Sequence, residues 1–486
     1  MEKFYWIITA SIFLADLAIR IGLSLRVIMR KRAASVSLAW LVIILFMPFA
    51  GAIIYLLLGE NRIGQKRAEH IANNLPIFKK WVSTLEKRIQ VDWSAINPEC
   101  KPIDAQAYSI IGLPTVSGNQ LTLIEDAADF FHALITDIEQ AKTSCFLEFY
   151  IWHDGGLMED VAAAMMRAAG RGVKCWILLD SIGSDSFLKS RLAEEMKSNG
   201  VEITEALPAG VFRALFVRID LRNHRKIAII DGETAYTGSQ NLVDPKFFKQ
   251  EENVGQWVDT MVRVRGPVVE KISATFLFDW YVENGINLRN ISDIEEIKKV
   301  SKAGEVPVQL VPSGPGFKES SIHDLLLTTI YAARKELILT TPYFVPDNAI
   351  LAALKTAAHR GVDVTIIVPK KNDSKLVHYA SRARYGELTR SGIKIIPFTE
   401  GLLHAKTVTV DSDFSLIGSV NLDMRSFWLN FELTLFVYNR EFTENLRNIQ
   451  QKYIKSAHIL DKTDFARRSF ISRLKENCAL IVGPLL

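Results

Sequence analysis

Two apolar runs dominate the start of the chain, and the remainder alternates short β-branched stretches with amphipathic ones. Residues 4–25 are apolar except for Asp16 and Arg20, and residues 37–58 carry no charge at all. Each run is long enough to cross a bilayer as a helix, which takes about 20 apolar residues. Arg26, Arg30, Lys31 and Arg32 separate the runs, and Trp6, Trp40 and Tyr55 lie near their ends, where amphipathic side chains favour the membrane interface. Asp16 and Arg20 are four apart, share a helix face and can neutralise each other. A cleaved signal peptide fits poorly, because the first run is charged at its centre and no small-x-small site follows it. A buried soluble hairpin fits poorly with an uncharged second run. The expectation is therefore a membrane anchor of two transmembrane helices over residues 1–60. The basic linker favours the cytoplasmic side, but Arg62, Lys66 and Arg67 compete for that side, so the topology stays open.

Residues 61–117 read as a connector, mostly helical from Lys66 to Gln90 with a break at Pro76, then irregular around Pro98 and Pro102. From Gly118 the chain repeats itself. Arg171-Gly172-Val173 leads into an apolar run at 175–179, and Arg360-Gly361-Val362 leads into one at 364–368. Asn199-Gly200-Val201-Glu202-Ile203 is matched by Ser391-Gly392-Ile393-Lys394-Ile395, and Phe149-Tyr150-Ile151 by Tyr343-Phe344-Val345. Helical patterns at 161–170 and 348–359 alternate with these runs, which implies α/β units with buried strands. The expected fold is α/β, with two similar lobes over 118–300 and 301–486 packed about a pseudo-two-fold axis and a site between them.

The repeat carries the candidate chemistry. His224-x-Lys226 is followed by Asp231, and His404-x-Lys406 by Asp411; 404 − 224 = 180 residues separate the copies. The same offset holds for Gly238-Ser239-x-Asn241-Leu242 and Gly418-Ser419-x-Asn421-Leu422. On a strand, positions i and i+2 share a face, so each His and Lys point together. A lysine can neutralise non-bridging phosphate oxygens while an imidazole attacks phosphorus or serves the leaving oxygen. One histidine per half divides the work into nucleophile and general acid/base, with environments that must differ. Asp231 and Asp411 end their strands. Ser239, Asn241, Ser419 and Asn421 are candidate phosphate donors. Glu252 and Glu432, again 432 − 252 = 180 apart, are candidates to orient the imidazoles. One motif copy alone is an ordinary strand end; two copies inside one duplicated frame are two halves of one site.

Composition narrows the substrate. The hydrophobic fraction of 49% and mean hydropathy of +0.12 are high for a wholly soluble enzyme, and a net charge of +4 is too small for a nucleic-acid footprint. Cys100, Cys145, Cys175 and Cys478 form no CxxC pair, so neither a zinc site nor a disulfide framework is indicated. No metal and no cofactor are expected. A basic aromatic segment at 212–218 and a basic, apolar stretch at 465–475 could lie at an anionic membrane surface. The other histidines, His70, His132, His153, His323, His359, His378 and His458, have no comparable context.

The paired motifs resemble those of the phospholipase D superfamily. Within it, the segments 220–226, 422–426, 341–346, 313–316 and 430–432, together with the hydrophobic N-terminus, resemble bacterial cardiolipin synthases. That resemblance implies a multi-pass protein of the bacterial inner membrane. It also implies transfer of a phosphatidyl group between two phosphatidylglycerols, giving cardiolipin and glycerol, with His224 as nucleophile and His404 as acid and base. Phosphatidylglycerol and membrane lipids are the implied partners, with no nucleic acid. Chemistry alone leaves water open as the acceptor, which would make a membrane-anchored phospholipase D. The lipid-facing N-terminus and modest charge disfavour a nuclease, and the intact motifs disfavour an inactive scaffold.

Overall fold

The computed structural model describes residues 1–486 apart from 31–33, 48, 61, 87–90, 209–216, 290–295, 317–320, 461–467 and 482–486. The described residues form two units, one of residues 1–66 with 209–221 and one of 67–208 with 222–486.

In the first unit, the run at 4–25 forms the helix Glu2–Met29, and the second run forms two shorter helices, Ala34–Phe46 and Ala50–Leu58. Asp16 and Arg20 do pair, and Asp16 also accepts the Phe49 N–H at 3.1 Å while Arg20 donates to the Leu45 carbonyl at 2.7 Å. In place of two long helices, the structure has one long helix followed by two short ones. Among the described residues no helix is long and apolar enough to cross a membrane. One helix carries an ion pair at its centre, and the other run divides into helices of 13 and 9 residues. Many large apolar side chains here are nevertheless exposed, among them Phe4, Trp6, Phe13, Leu38 and Phe46.

The helix Gln65–Glu86, nearly all of it in the second unit, runs through Pro76 rather than breaking there, and a further helix, Cys100–Ile111, forms where the connector was expected to be irregular. A 15-stranded mixed sheet follows. From one edge to the middle its strands are Glu202–Ala206, Lys174–Asp180, Ser144–Phe149, Ile227–Ile230, Thr234–Gly238, Met261–Arg265 and Val116–Ile124. From the other edge inward they are Lys394–Phe398, Asp363–Pro369, Glu336–Thr340, Thr407–Val410, Phe414–Gly418, Asn430–Val437 and Val306–Ser313. The two sequences of strands mirror one another, three parallel strands followed by antiparallel ones. They meet where Val116–Ile124 pairs antiparallel with Val306–Ser313, the geometry a pseudo-two-fold axis requires. Arg222–Asn223 crosses from the first lobe to pair with Asn430 and Phe431 of the second.

Both faces of the sheet are buried. Along Ser144–Phe149, Phe146 joins one core while Cys145 and Leu147 join another, the period of two that a strand covered on both faces must show. The covering helices are cut to match. Ala127–Gln140 starts where the Asp126 carboxylate accepts the N–H groups of Ala128 and Asp129, and it buries Phe130, Leu134 and Ile138 at four-residue spacing. In the second lobe the helix Asn348–His359, counterpart of Leu157–Gly170, starts where the Asp347 carboxylate accepts the Ile350 N–H. Each fully buried apolar side chain of this kind contributes roughly 1.5–3 kcal/mol. Cys100, Cys145 and Cys175 are buried free thiols, and Cys478 is exposed.

Candidate active site

The two histidines meet at the seam between the lobes. His224 follows the crossing strand Arg222–Asn223 and its backbone N–H donates to the Phe431 carbonyl at 2.9 Å, which ties the first motif to the second lobe. In return, the His404 N–H donates to the Val258 carbonyl at 2.7 Å. Each imidazole is held by a carboxylate from the opposite lobe. His224 Nδ1 lies 2.8 Å from Glu432 Oε2, and His404 Nδ1 lies 2.7 Å from Asp259 Oδ1. A carboxylate on Nδ1 fixes the tautomer and leaves Nε2 as the reactive nitrogen.

Lys226 and Lys406 are buried beside them, and each ammonium donates to the carbonyl of its own motif's histidine, at 2.7 and 2.5 Å. Burial pushes both imidazoles down, each to about 4, with the carboxylates pulling up and the lysines pushing further down. Burial likewise lowers Lys406 to about 8 and takes Lys226 well below its ordinary value. Burial pushes Glu432 and Asp259 up, but the facing histidine, the neighbouring lysine and a serine hydroxyl together outweigh it and leave both carboxyls below their usual range.

The pseudo-symmetry is broken around the motifs. In the first, the residue between His and Lys is Arg225, fully buried, ion-paired with Asp279, and donating through Nε to the Glu432 carbonyl at 3.1 Å. Glu148 lies in the same network, bonded to Asn223 Nδ2 at 2.7 Å and pushed up to about 7 by burial. In the second motif the matching position is Ala405. The two histidines thus sit in chemically different surroundings.

Several expectations are corrected. Glu252 does not orient an imidazole: it sits in the short turn Gln250–Glu252 and pairs with Lys249 at 3.3 Å. Asp259 takes that place. The first lobe carries seven extra residues in this stretch, since 432 − 259 = 173 rather than 180, so a fixed offset pointed to the wrong acid. The signal that finds Asp259 is an acid at the head of an alternating strand, Trp257-Val258-Asp259-Thr260, like Phe431-Glu432-Leu433-Thr434. Asp231 and Asp411 lie at the far ends of their strands. Asp231 accepts the backbone N–H groups of Lys142, Thr143 and Ser144, and Asp411 those of Arg334, Lys335 and Glu336. Both residues adopt positive φ, 54° and 53°, so they lock strand ends rather than reach the histidines.

Ser239 and Ser419 also serve the frame. Their hydroxyls accept the N–H of Thr260 at 3.0 Å and of Leu433 at 2.9 Å, fastening the strands that carry Asp259 and Glu432. Asn241 accepts the Ile151 N–H at 3.3 Å, and among the described residues its buried Nδ2 meets no partner. Asn421 hydrogen-bonds Asp423, and its buried Oδ1 meets no partner among the same residues. No group of three or more His, Cys, Asp or Glu side chains among the described residues could hold a metal ion. Residues 212–216 of the basic aromatic segment and 465–467 of the C-terminal stretch lie outside the described residues. The helix Phe470–Ile481 is described, with Phe470, Ile471 and Leu474 exposed.

Known proteins share this frame. The family described as cardiolipin synthase, PLD-like domain matches residues 134–280 and 326–454, and the phospholipase D-nuclease N-terminal family matches 18–60. Cardiolipin synthase A of Edwardsiella ictaluri is 43% identical over 482 residues, 99% of this chain and 97% of the relative. Cardiolipin synthase A of Pectobacterium carotovorum is 42% identical over 486 residues, the whole of both chains. The crystal structure of a phosphatidylserine synthase from Haemophilus influenzae superposes with a TM-score of 0.60 at 14% identity, over 79% of this chain and 100% of that one, which is a likeness of fold. The chain belongs to the cardiolipin synthase family of phospholipase D-like proteins.

Proposed function

We propose that this protein is a phosphatidyltransferase that joins two phosphatidylglycerols into cardiolipin and releases glycerol. The observation that carries the proposal is the pair of buried histidines, each held at Nδ1 by a carboxylate of the other lobe, within a chain matched end to end by cardiolipin synthases.

His224 Nε2 attacks the donor phosphorus. The bond to the leaving glycerol breaks, and His404, whose imidazolium form the negative charge of the bound phosphate favours, supplies its proton. The second phosphatidylglycerol then gives its hydroxyl proton to His404 as its oxygen displaces His224. Lys226 and Lys406 neutralise the non-bridging oxygens, and Asn241 Nδ2 is a further donor to them. No step calls on a metal or cofactor. The apolar side chains exposed on the first unit support its seating in lipid at the bacterial inner membrane. A division into an N-terminal membrane unit, a connector to residue 117 and lobes over 118–300 and 301–486 accompanies this reading.

Product analysis tests it. Purified full-length protein given phosphatidylglycerol in detergent should form cardiolipin and glycerol in equal amounts. Phosphatidic acid as the sole lipid product would assign the protein to hydrolysis instead.

A further inference from the structure

A chain of contacts runs around the two histidines, and it is not symmetric. The Trp257 ring lies 4.3 Å from the His404 imidazole. Lys249 Nζ lies 5.8 Å from that ring and 3.3 Å from Asp373 Oδ2. The Tyr343 hydroxyl donates to the Asp373 carboxylate, 2.9 and 3.2 Å from its two oxygens. On the opposite side the Tyr150 ring lies 5.2 Å from the His224 imidazole. Lys249, Trp257 and Tyr150 come from the first lobe, Asp373 and Tyr343 from the second.

The repeat shows which of these is new. Asp373 follows Asp363–Pro369 as Ser184 follows Lys174–Asp180, since 373 − 184 = 189, the offset of the preceding Arg-Gly-Val segments, 360 − 171. Ser184 is a turn residue, donating to the Tyr150 carbonyl and accepting the Trp152 N–H, each at 3.0 Å. The first lobe's nearest counterpart is Asp180, whose charge likewise reaches its motif lysine, Lys226, but whose carboxylate is taken up by the N–H groups of Ile182, Gly183 and Asn223; in the second lobe no backbone N–H among the described residues claims Asp373. Its side chain is 7% exposed, and its charge reaches the Lys406 ammonium. An ionised carboxylate has about four acceptor positions, so one tyrosine hydroxyl and one ammonium leave capacity for a ligand. Trp257, 5% exposed and set between His404 and Lys249, has an indole N–H without a partner among the described residues. Lys249 is held at φ 51°, a conformation that persists only where its surroundings impose it.

We propose that Asp373, clasped by Tyr343 and Lys249, is the subsite for the accepting alcohol, a headgroup with neighbouring hydroxyls. One hydroxyl hydrogen-bonds the carboxylate while the other faces His404. This deepens the transferase reading and rests on it. In the second half-reaction the acceptor O–H bond breaks, its proton passes to His404, the new P–O bond forms and the P–N bond to His224 breaks. Asp373 takes no proton; it holds the diol. Water can reach His404 without using the carboxylate, so this subsite sets the partition between transfer and hydrolysis.

The test compares full-length wild type, Asp373→Asn and Tyr343→Phe on phosphatidylglycerol in detergent, scoring cardiolipin against phosphatidic acid and labelled phosphatidyl adduct on the protein. Asp373→Asn should lower the ratio of cardiolipin to phosphatidic acid about tenfold, and raise KM for the acceptor, while adduct still forms. Tyr343→Phe, a single-hydroxyl change that keeps the packing, should shift the ratio the same way by about threefold. An unchanged ratio in both variants, even with slower turnover, overturns the proposal. Phosphatidic acid alone from the wild type is a different result: it removes the transferase reading, and the subsite with it.

Discussion

Asp259 Oδ1 lies 2.7 Å from Nδ1 of His404, although the two residues are 145 positions apart and belong to different lobes. Glu432 stands in the same relation to His224. Replacing either acid by its amide keeps the shape but removes the charge that holds the tautomer. Asp259→Asn and Glu432→Gln should each lower kcat on the order of 10²–10⁴-fold. Glu252→Gln, which loses only a partly exposed pair with Lys249, should stay within about twofold. Steady-state kinetics on the three variants decides; a large loss in Glu252→Gln alone would reverse the assignment.

The roles of the histidines predict an unequal outcome from equal substitutions. His224→Ala and His404→Ala should both abolish turnover, with losses of at least about 10³-fold. Only His404→Ala should retain a labelled phosphatidyl group, and mass spectrometry should place it on His224. A label on His404 in the His224→Ala protein would exchange the roles.

The motif aspartates predict the opposite pattern. Asp231 and Asp411 each satisfy three consecutive backbone N–H groups. Asp231→Ala or Asp411→Ala leaves those donors without their acceptor, at a cost of about 1–3 kcal/mol. Thermal unfolding should shift down by several degrees, while kcat of the folded fraction changes little. A catalytic collapse without loss of stability would return these residues to the chemistry.

Stability should depend on pH with a definite sign. Burial holds both imidazoles at about 4, whereas an unfolded histidine titrates near 6.5. Between those values the unfolded chain binds more protons, so stability rises with pH and is lost on acidification through this window. Glu432 and Asp259, held below their usual range, act in the same direction. The melting temperature in detergent should fall steeply from pH 7 to 4.5. A His224→Gln, His404→Gln double variant should flatten that fall, and an equally steep one in it would contradict the assignment.

Activity should also have an alkaline limit. Burial lowers Lys406 to about 8, so its ammonium is lost above that pH. The logarithm of kcat/KM should decline above pH 8, and Lys406→Arg, which stays charged, should carry its remaining activity to higher pH. A profile flat to pH 9.5 would contradict a catalytic ammonium at Lys406.

Much of this was legible from spacing. The 180-residue offset of His224 and His404 placed both at equivalent points of the repeat, just before the strands Ile227–Ile230 and Thr407–Val410, and joined them into one site, and a mirrored sheet is what such a repeat builds. Asp259 escaped because its partner is fixed by strand pairing across the seam, and a seven-residue difference between the lobes shifts the count. Ser239 and Ser419 looked like phosphate donors because their type fits; that they fasten Thr260 and Leu433 depends on neighbours far away in sequence. The N-terminal runs carry signals of length and polarity, which say nothing about where a helix ends.

The crossed carboxylates have a consequence for how such a protein can arise. Each lobe supplies what the other's histidine needs, so two separate copies of one lobe, related by a true two-fold axis, could already assemble a working pair. In a single chain the two positions can diverge, and they have: a glutamate on one side and an aspartate on the other, an arginine inside one motif and an alanine inside its twin. Two halves joined in one chain can keep a common frame and still face a substrate with unlike side chains.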